Sequence, residues 1–319
     1  MGEVRGDERR GGLLYGVAAY GLWGLMPLYF RAVTPPAGPV EVLAHRIVWS
    51  VVFLALLLTG LRRWPHVARC FRSRRLLLSL TASTVLIAVN WFGFIYAVWS
   101  EQILQTSLGY FMTPLFSVLL GMIFFRERLR PGQWAALALA TCGIAYLVWT
   151  VGEVPWVALT ITGSFGLYGL VRKKTPVDAL VGLSVETLLL LPPAAGAILF
   201  WAAGGTGTFG RDGRISGLLT LSGVFTAVPL LCFGAAARRL PLTILGFLQY
   251  ISPSMSCLLA VFWFEEPFRS EQRVSFGLIW AALALFTVES VLAVRRAGSR
   301  RILEAEVSPV TSLEARHDL

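Results

Sequence analysis

The chain has 319 residues, 56% of them apolar and only 14% charged, with a mean hydropathy of +0.68. A soluble domain carries about a quarter charged residues, so this composition excludes an ordinary globular enzyme and a disordered chain. The formal charge of +10 decides nothing until its placement along the chain is known.

A hydrocarbon core of about 30 Å needs roughly 20 apolar residues in helix. Residues 1–12 are expected to form a short polar segment ahead of the first such run. Ten runs follow in chain order: 13–30, 42–61, 76–98, 103–125 and 134–150, then 155–171, 179–203, 215–237, 242–264 and 274–294. They are apolar all round, without the alternation of barrel strands. The expected fold class is therefore an all-α integral membrane protein with ten transmembrane helices. Residues 295–319 are polar and mixed in charge, and are expected to be disordered. The basic pair Arg9-Arg10 before an apolar run also fits a signal peptide, but nine further runs follow and no small-x-small cleavage site ends the first.

Lys and Arg in the connecting loops set the orientation. With the N-terminus in the cytoplasm, 22 of the 28 fall in cytoplasmic segments and five on the outside, with Arg46 inside a span. Both termini are expected in the cytoplasm. The basic surplus is then topological, and nucleic acid is not an expected partner. The excess of 26 Arg over two Lys fits a GC-rich bacterial genome and hence a bacterial inner membrane. Cys70, Cys142, Cys232 and Cys257 show no paired spacing, so neither a disulfide framework nor a metal site is expected.

Shifted by 139 residues, 113–145 falls on 252–284 without a gap, with ten of 33 positions identical. The matches include Pro114/Pro253, Ser117/Ser256, Glu127/Glu266, Arg130/Arg269 and Gln133/Gln272, which shared hydrophobicity alone would not produce. Gly21-Leu22-Trp23-Gly24-Leu25 likewise matches Gly166-Leu167-Tyr168-Gly169-Leu170. The expected units are a first repeat over 13–150 and a second over 155–294. Five helices is an odd number, so the second copy enters the membrane inverted, as in many secondary transporters.

These residues resemble the RarD-type members of the drug/metabolite transporter superfamily, whose half-unit is the EamA domain. The resemblance runs over nearly all of 13–294. It is carried by Glu41-Val-Leu-Ala-His45-Arg46 with Trp49-Ser50, Ser107-Leu-Gly-Tyr-Phe111 through Pro114, and Phe125-Arg-Glu-Arg-Leu-Arg-Pro131. In the second half it rests on Ser164-Phe-Gly-Leu-Tyr-Gly169 with Arg172-Lys173-Lys174, Glu186-Thr-Leu-Leu-Leu190, and Gly246-Phe-Leu-Gln-Tyr250 with Pro253. It implies ten helices, cytoplasmic termini and export or exchange of small metabolites, under a family name tied to chloramphenicol susceptibility. Met112-Thr113 departs from the Ile-Asn that the resemblance implies there.

Ionisable groups within spans are costly and need a reason. Arg46 and Glu186 lie at similar depths from opposite faces, on counterpart spans. They are expected to line a central cavity as an ion pair or as substrate and proton contacts; a structural salt bridge that locks helices together is the alternative. His45 points about 100° away from Arg46 and is expected to pair with Glu41. Asn90, Trp91, Tyr110, Tyr168, Gln249 and Tyr250 complete the candidate substrate-binding set, with interhelical packing as the competing role. Pro114 and Pro253 are candidate hinges, and Glu127 and Glu266 read as turn or capping residues rather than binding residues.

The expected function is a secondary transporter of small organic metabolites or drugs, needing no cofactor, with protons as a candidate coupling ion. An intramembrane enzyme is disfavoured because no catalytic motif occurs. A channel or scaffold is the remaining alternative, although no filter or charged ring is evident.

Overall fold

The computed structural model describes residues 2–33, 37–99, 103–151, 156–263, 265, 270, 273–290 and 292. All regular structure among them is helical: α1 (Gly2–Gly24), α2 (Met26–Val33), α3 (Pro39–Gly60), α4 (Trp64–Arg72), α5 (Arg74–Trp99), α6 (Ile103–Phe125), α7 (Pro131–Val151) and α8 (Trp156–Lys174) in the first part. They are followed by α9 (Ala179–Ala203), α10 (Gly213–Arg239), α11 (Leu242–Gln249), α12 (Ile251–Phe262) and α13 (Arg273–Ser290). Eight helical segments are long and apolar enough to cross a membrane. The other two expected spans fall on α6 and on α8, whose last turn carries Arg172, Lys173 and Lys174.

Two boundaries differ from expectation. Helix α1 begins at Gly2, so the segment expected to precede the first span is helical and continuous with it. The stretch between the second and third spans is not plain loop but contains α4, whose Val67 and Cys70 are buried against Leu58, Leu80 and Val181. The tail 295–319, Glu266 and Gln272 lie outside the described residues.

Short polar contacts show which helix ends share a face. At one end of the molecule, Arg63 after α3 pairs with Asp178 before α9 at 3.6 Å, and Arg130 before α7 pairs with Glu289 of α13 at 3.4 Å. Lys173 Nζ donates to the carbonyls of Ala237 (3.2 Å) and Leu240 at the C-terminus of α10, where cationic groups complement the helix end. Glu127 accepts from the backbone N–H groups of Leu242 (2.7 Å) and Thr243 (2.8 Å). Pro241 has no capping side chain, so a carboxylate from α6's end satisfies donors that α11 would otherwise leave open. This confirms the capping role expected of Glu127. At the opposite end, Glu41 accepts from Thr208 N–H (2.7 Å) in the α9–α10 connection. These contacts put the C-terminal ends of α3, α6, α8, α10 and α13 on the same face as the N-terminal ends of α7, α9 and α11.

Glycine governs the closest crossings. A Cβ at Gly223 of α10 would stand 2.3 Å from the Trp49 backbone of α3, and one at Gly246 of α11 would stand 2.8 Å from the Pro114 carbonyl of α6. Ser50 Oγ donates to Gly223 O across the first crossing (3.1 Å). Such small-residue contacts substitute for a hydrophobic drive, which lipid cannot provide. The two candidate hinge prolines differ from one another. Pro114 sits within a continuous α6, whereas the equivalent span is broken at Tyr250 into α11 and α12, three residues before Pro253. Proline at 253 removes the N–H that would have bonded one turn back, at Gln249.

Candidate substrate site

Helix α3 starts at the end where Glu41 meets Thr208, and α9 starts at the opposite end, where Asp178 pairs with Arg63. Arg46 and Glu186 each lie seven residues into their helices, about 10 Å deep at 1.5 Å per residue. The structure does not bring them together.

Glu186 is paired with Arg172 instead. Arg172 Nη1 stands 3.5 Å from Glu186 Oε1, and the two side chains are 3% and 2% exposed. Ser83 Oγ of α5 donates to Glu186 Oε1 (2.5 Å) and the Tyr168 hydroxyl donates to Oε2 (3.2 Å). Gly182 makes the room, since a Cβ there would fall 1.9 Å from Arg172 Nη1. Arg172 thus leaves the set of loop charges to which sequence assigned it. Its neighbour Lys173 caps α10, and Lys174 lies over the Phe124 ring at 4.5 Å. Periodicity carries the signal: 172 is four residues beyond Tyr168 and shares its inward face.

Arg46 occupies a different environment. Its Nε donates to Thr226 Oγ1 of α10 (2.8 Å). Its guanidinium carbon lies 5.5 Å from the Phe30 ring centroid and 5.7 Å from that of Trp91, within cation–π range. Phe30 contacts Phe94 (6.1 Å) and Phe94 contacts Tyr110 (6.5 Å). Tyr110 is 39% exposed and Arg46 is half-buried. Of the expected set, Arg46, Trp91 and Tyr110 therefore fall in one aromatic cluster, Tyr110 through Phe30 and Phe94. Glu186 and Tyr168 meet in a second, sealed cluster.

The remaining candidates are engaged in packing. Asn90 Nδ2 donates to Ile161 O (3.0 Å) and Ser164 Oγ (3.3 Å) on α8. Gln249 Oε1 accepts from Ser117 Oγ of α6 (3.0 Å). Tyr250 is 1% exposed, with Phe247 at 6.4 Å. His45 does not pair with Glu41, which is committed to Thr208; its ring stacks on Phe209 at 4.8 Å. Thr113 donates to Gly109 O in its own helix (2.7 Å), which takes the place of any amide role there. A shallow hollow of about 500 Å³ between Leu28, Arg31, Ala32, Trp263 and Glu265 includes none of the expected residues. Sequence reasoning missed Thr226, Ser83, Arg172 and Phe30. The first two are hydroxyls in apolar runs, indistinguishable there from side chains that bond back to their own helix.

Comparison with known proteins decides the family. The model of the EamA-like transporter family matches residues 10–149. Protein RarD of Salmonella typhi is 43% identical over 291 residues, covering 91% of this chain and 98% of the relative. Protein RarD of Escherichia coli strain K12 is 42% identical over the same shares. The chain belongs to the EamA-like transporter family, as a RarD-type member. The Chloramphenicol-sensitive protein RarD of Pseudomonas aeruginosa is 34% identical over 295 residues, covering 91% and 98% of the two chains. A solved crystal structure superimposes with a TM-score of 0.65 at 17% identity, covering 88% of this chain and 98% of that one. That match shows a shared fold alone. Within this RarD-type chain the family model ends at α7, so Glu186, Arg172 and Tyr168 lie in the part it does not match and Ser83 in the part it does.

Proposed function

We propose that this EamA-like protein is a secondary carrier of small organic metabolites, built as two inverted five-helix repeats over 13–150 and 155–294 that alternate access to a central site. The supporting observation is a symmetric exchange of partners. Arg46 of the second span bonds Thr226 of the eighth, and Glu186 of the seventh bonds Ser83 of the third. Under a fivefold shift of span number each contact becomes the other. Helix packing follows the same rule: α1 against α10 matches α8 against α5, and α3 against α10 matches α9 against α5. An inverted repeat generates such pairs through its pseudo-twofold axis.

In this reading both termini face the cytoplasm of a bacterial inner membrane. The aromatic cluster around Arg46 is the outward half-site, with Tyr110 at its exposed edge. The Glu186–Arg172 cluster is the inward half-site, closed by its own ion pair. Opening inward requires that pair to separate, and a proton on Glu186 is the simplest means of releasing Arg172. Chloramphenicol, named for one relative, is a first solute to test. Purified protein in liposomes should show saturable counterflow and, with Glu186→Gln, transport independent of the proton gradient. Unsaturable flux without counterflow contradicts the carrier. Unchanged pH dependence in Glu186→Gln removes the coupling role.

The second reading keeps Glu186 as a static lock between α5, α8 and α9. It is favoured by the carboxylate's full set of partners: two hydroxyl donors and one guanidinium.

A further inference from the structure

The two half-sites are alike in position and unlike in charge balance. Glu186 has its counter-ion in Arg172. Matching Gly21–Leu25 to Gly166–Leu170 places Pro27 at the position equivalent to Arg172, and α2 from Met26 to Val33 contains no acidic residue. Among the described residues, no carboxylate stands within ion-pair distance of Arg46. Its Nε is taken by Thr226, and no described group accepts from its two Nη groups. A half-buried guanidinium flanked by aromatic rings favours a counter-charge, and cation–π contacts with Phe30 and Trp91 offset its desolvation only in part.

We propose that the aromatic cluster around Arg46 binds an organic anion through its carboxylate, with the flat apolar body of the ligand laid along Trp91, Phe94 and Tyr110. The two free Nη groups form the planar fork that matches a carboxylate in bidentate fashion. The ring faces supply apolar area for the rest of the solute. The anion does for Arg46 what Arg172 does for Glu186, so its arrival completes the charge balance of the outward half. This deepens the carrier reading and rests on it for the identity of the ligand as a transported solute.

The test uses full-length protein in phosphatidylcholine nanodiscs and reads tryptophan fluorescence. The probes are 4-phenylbutyrate, its neutral amide 4-phenylbutanamide and the cation 4-phenylbutylamine. The carboxylate is expected to quench saturably, with the amide at least tenfold weaker and the amine silent. Arg46→Gln should weaken the carboxylate by about 10- to 100-fold, the loss expected of a charge-assisted contact, and leave the amide unchanged. Equal affinity of the wild-type protein for carboxylate and amide overturns the proposal, and that comparison needs no variant to fold. Competition by phosphatidylglycerol that disappears in Arg46→Gln assigns the anion to a lipid headgroup and overturns it as well. Counterflow of neutral chloramphenicol without carboxylate binding overturns the anion site and leaves the carrier. Carboxylate binding without counterflow of any of these solutes does the reverse.

Discussion

Breaking the Arg172–Glu186 pair from one side should be far more damaging than removing it from both. Glu186→Gln preserves shape but keeps one acceptor oxygen for the two hydroxyls of Ser83 and Tyr168, and it strands a guanidinium that is 3% exposed. Uncompensated buried charge of this kind costs about 3–5 kcal/mol. Arg172→Gln strands the carboxylate, with two hydroxyl donors still in place, and should cost somewhat less. The double variant Arg172→Gln/Glu186→Gln leaves two neutral amides and should recover much of the loss, giving a coupling of about 2–3 kcal/mol between contacting groups. Gly182→Ala is a third route to the same pair: its methyl would stand 1.9 Å from Nη1 and must displace the guanidinium. Reversible unfolding of the purified protein in mixed detergent micelles measures each term. Additive single-variant losses, or a Glu186→Gln loss below about 1 kcal/mol, would refute the claim that the pair is coupled and desolvated.

Other expectations follow from particular contacts. Gly223→Ala should destabilise by about 1–3 kcal/mol because the obstacle is Trp49 backbone, which cannot rotate away, whereas Gly163→Ala, with nothing within 4 Å, should be neutral or stabilising by up to about 1 kcal/mol; the same unfolding assay compares them. Glu127→Ala should cost about 1–2 kcal/mol by uncapping α11, with Glu127→Gln intermediate, and equal stability of all three forms would remove the cap from the account. Cys70 is 2% exposed, and burial together with nearby Asp178 pushes its thiol above the ordinary range, so it should resist maleimide at neutral pH until the protein is denatured.

How much of this was legible in the sequence depends on the kind of signal. The helices announce themselves by length and apolarity, and Arg46 and Glu186 by charge in apolar runs. Glu127 reads correctly as a cap from its place at a span end. The partners of Arg46 and Glu186 do not show, because partner choice is set by the rotation of each helix about its axis, which a continuous apolar run does not encode. Arg172 was hidden in Arg172-Lys173-Lys174, where counting charges by loop gives three cations one meaning. In the structure one is buried in an ion pair, one caps a helix and one lies over a ring. Asn90 and Gln249 show the converse: a polar side chain at membrane depth needs a partner, and a neighbouring helix can supply it as readily as a cavity.

A carrier of this design requires that the two half-sites open in turn. Single cysteines at Tyr110 and at Ser83, in protein whose four native cysteines are replaced, report the two half-sites by labelling with an impermeant maleimide in oriented vesicles. Alternating access predicts that Tyr110→Cys labels from the outside and Ser83→Cys stays unreactive, and that adding Glu186→Gln reverses both. Ser83→Cys becoming reactive while Tyr110→Cys labels as before would contradict it.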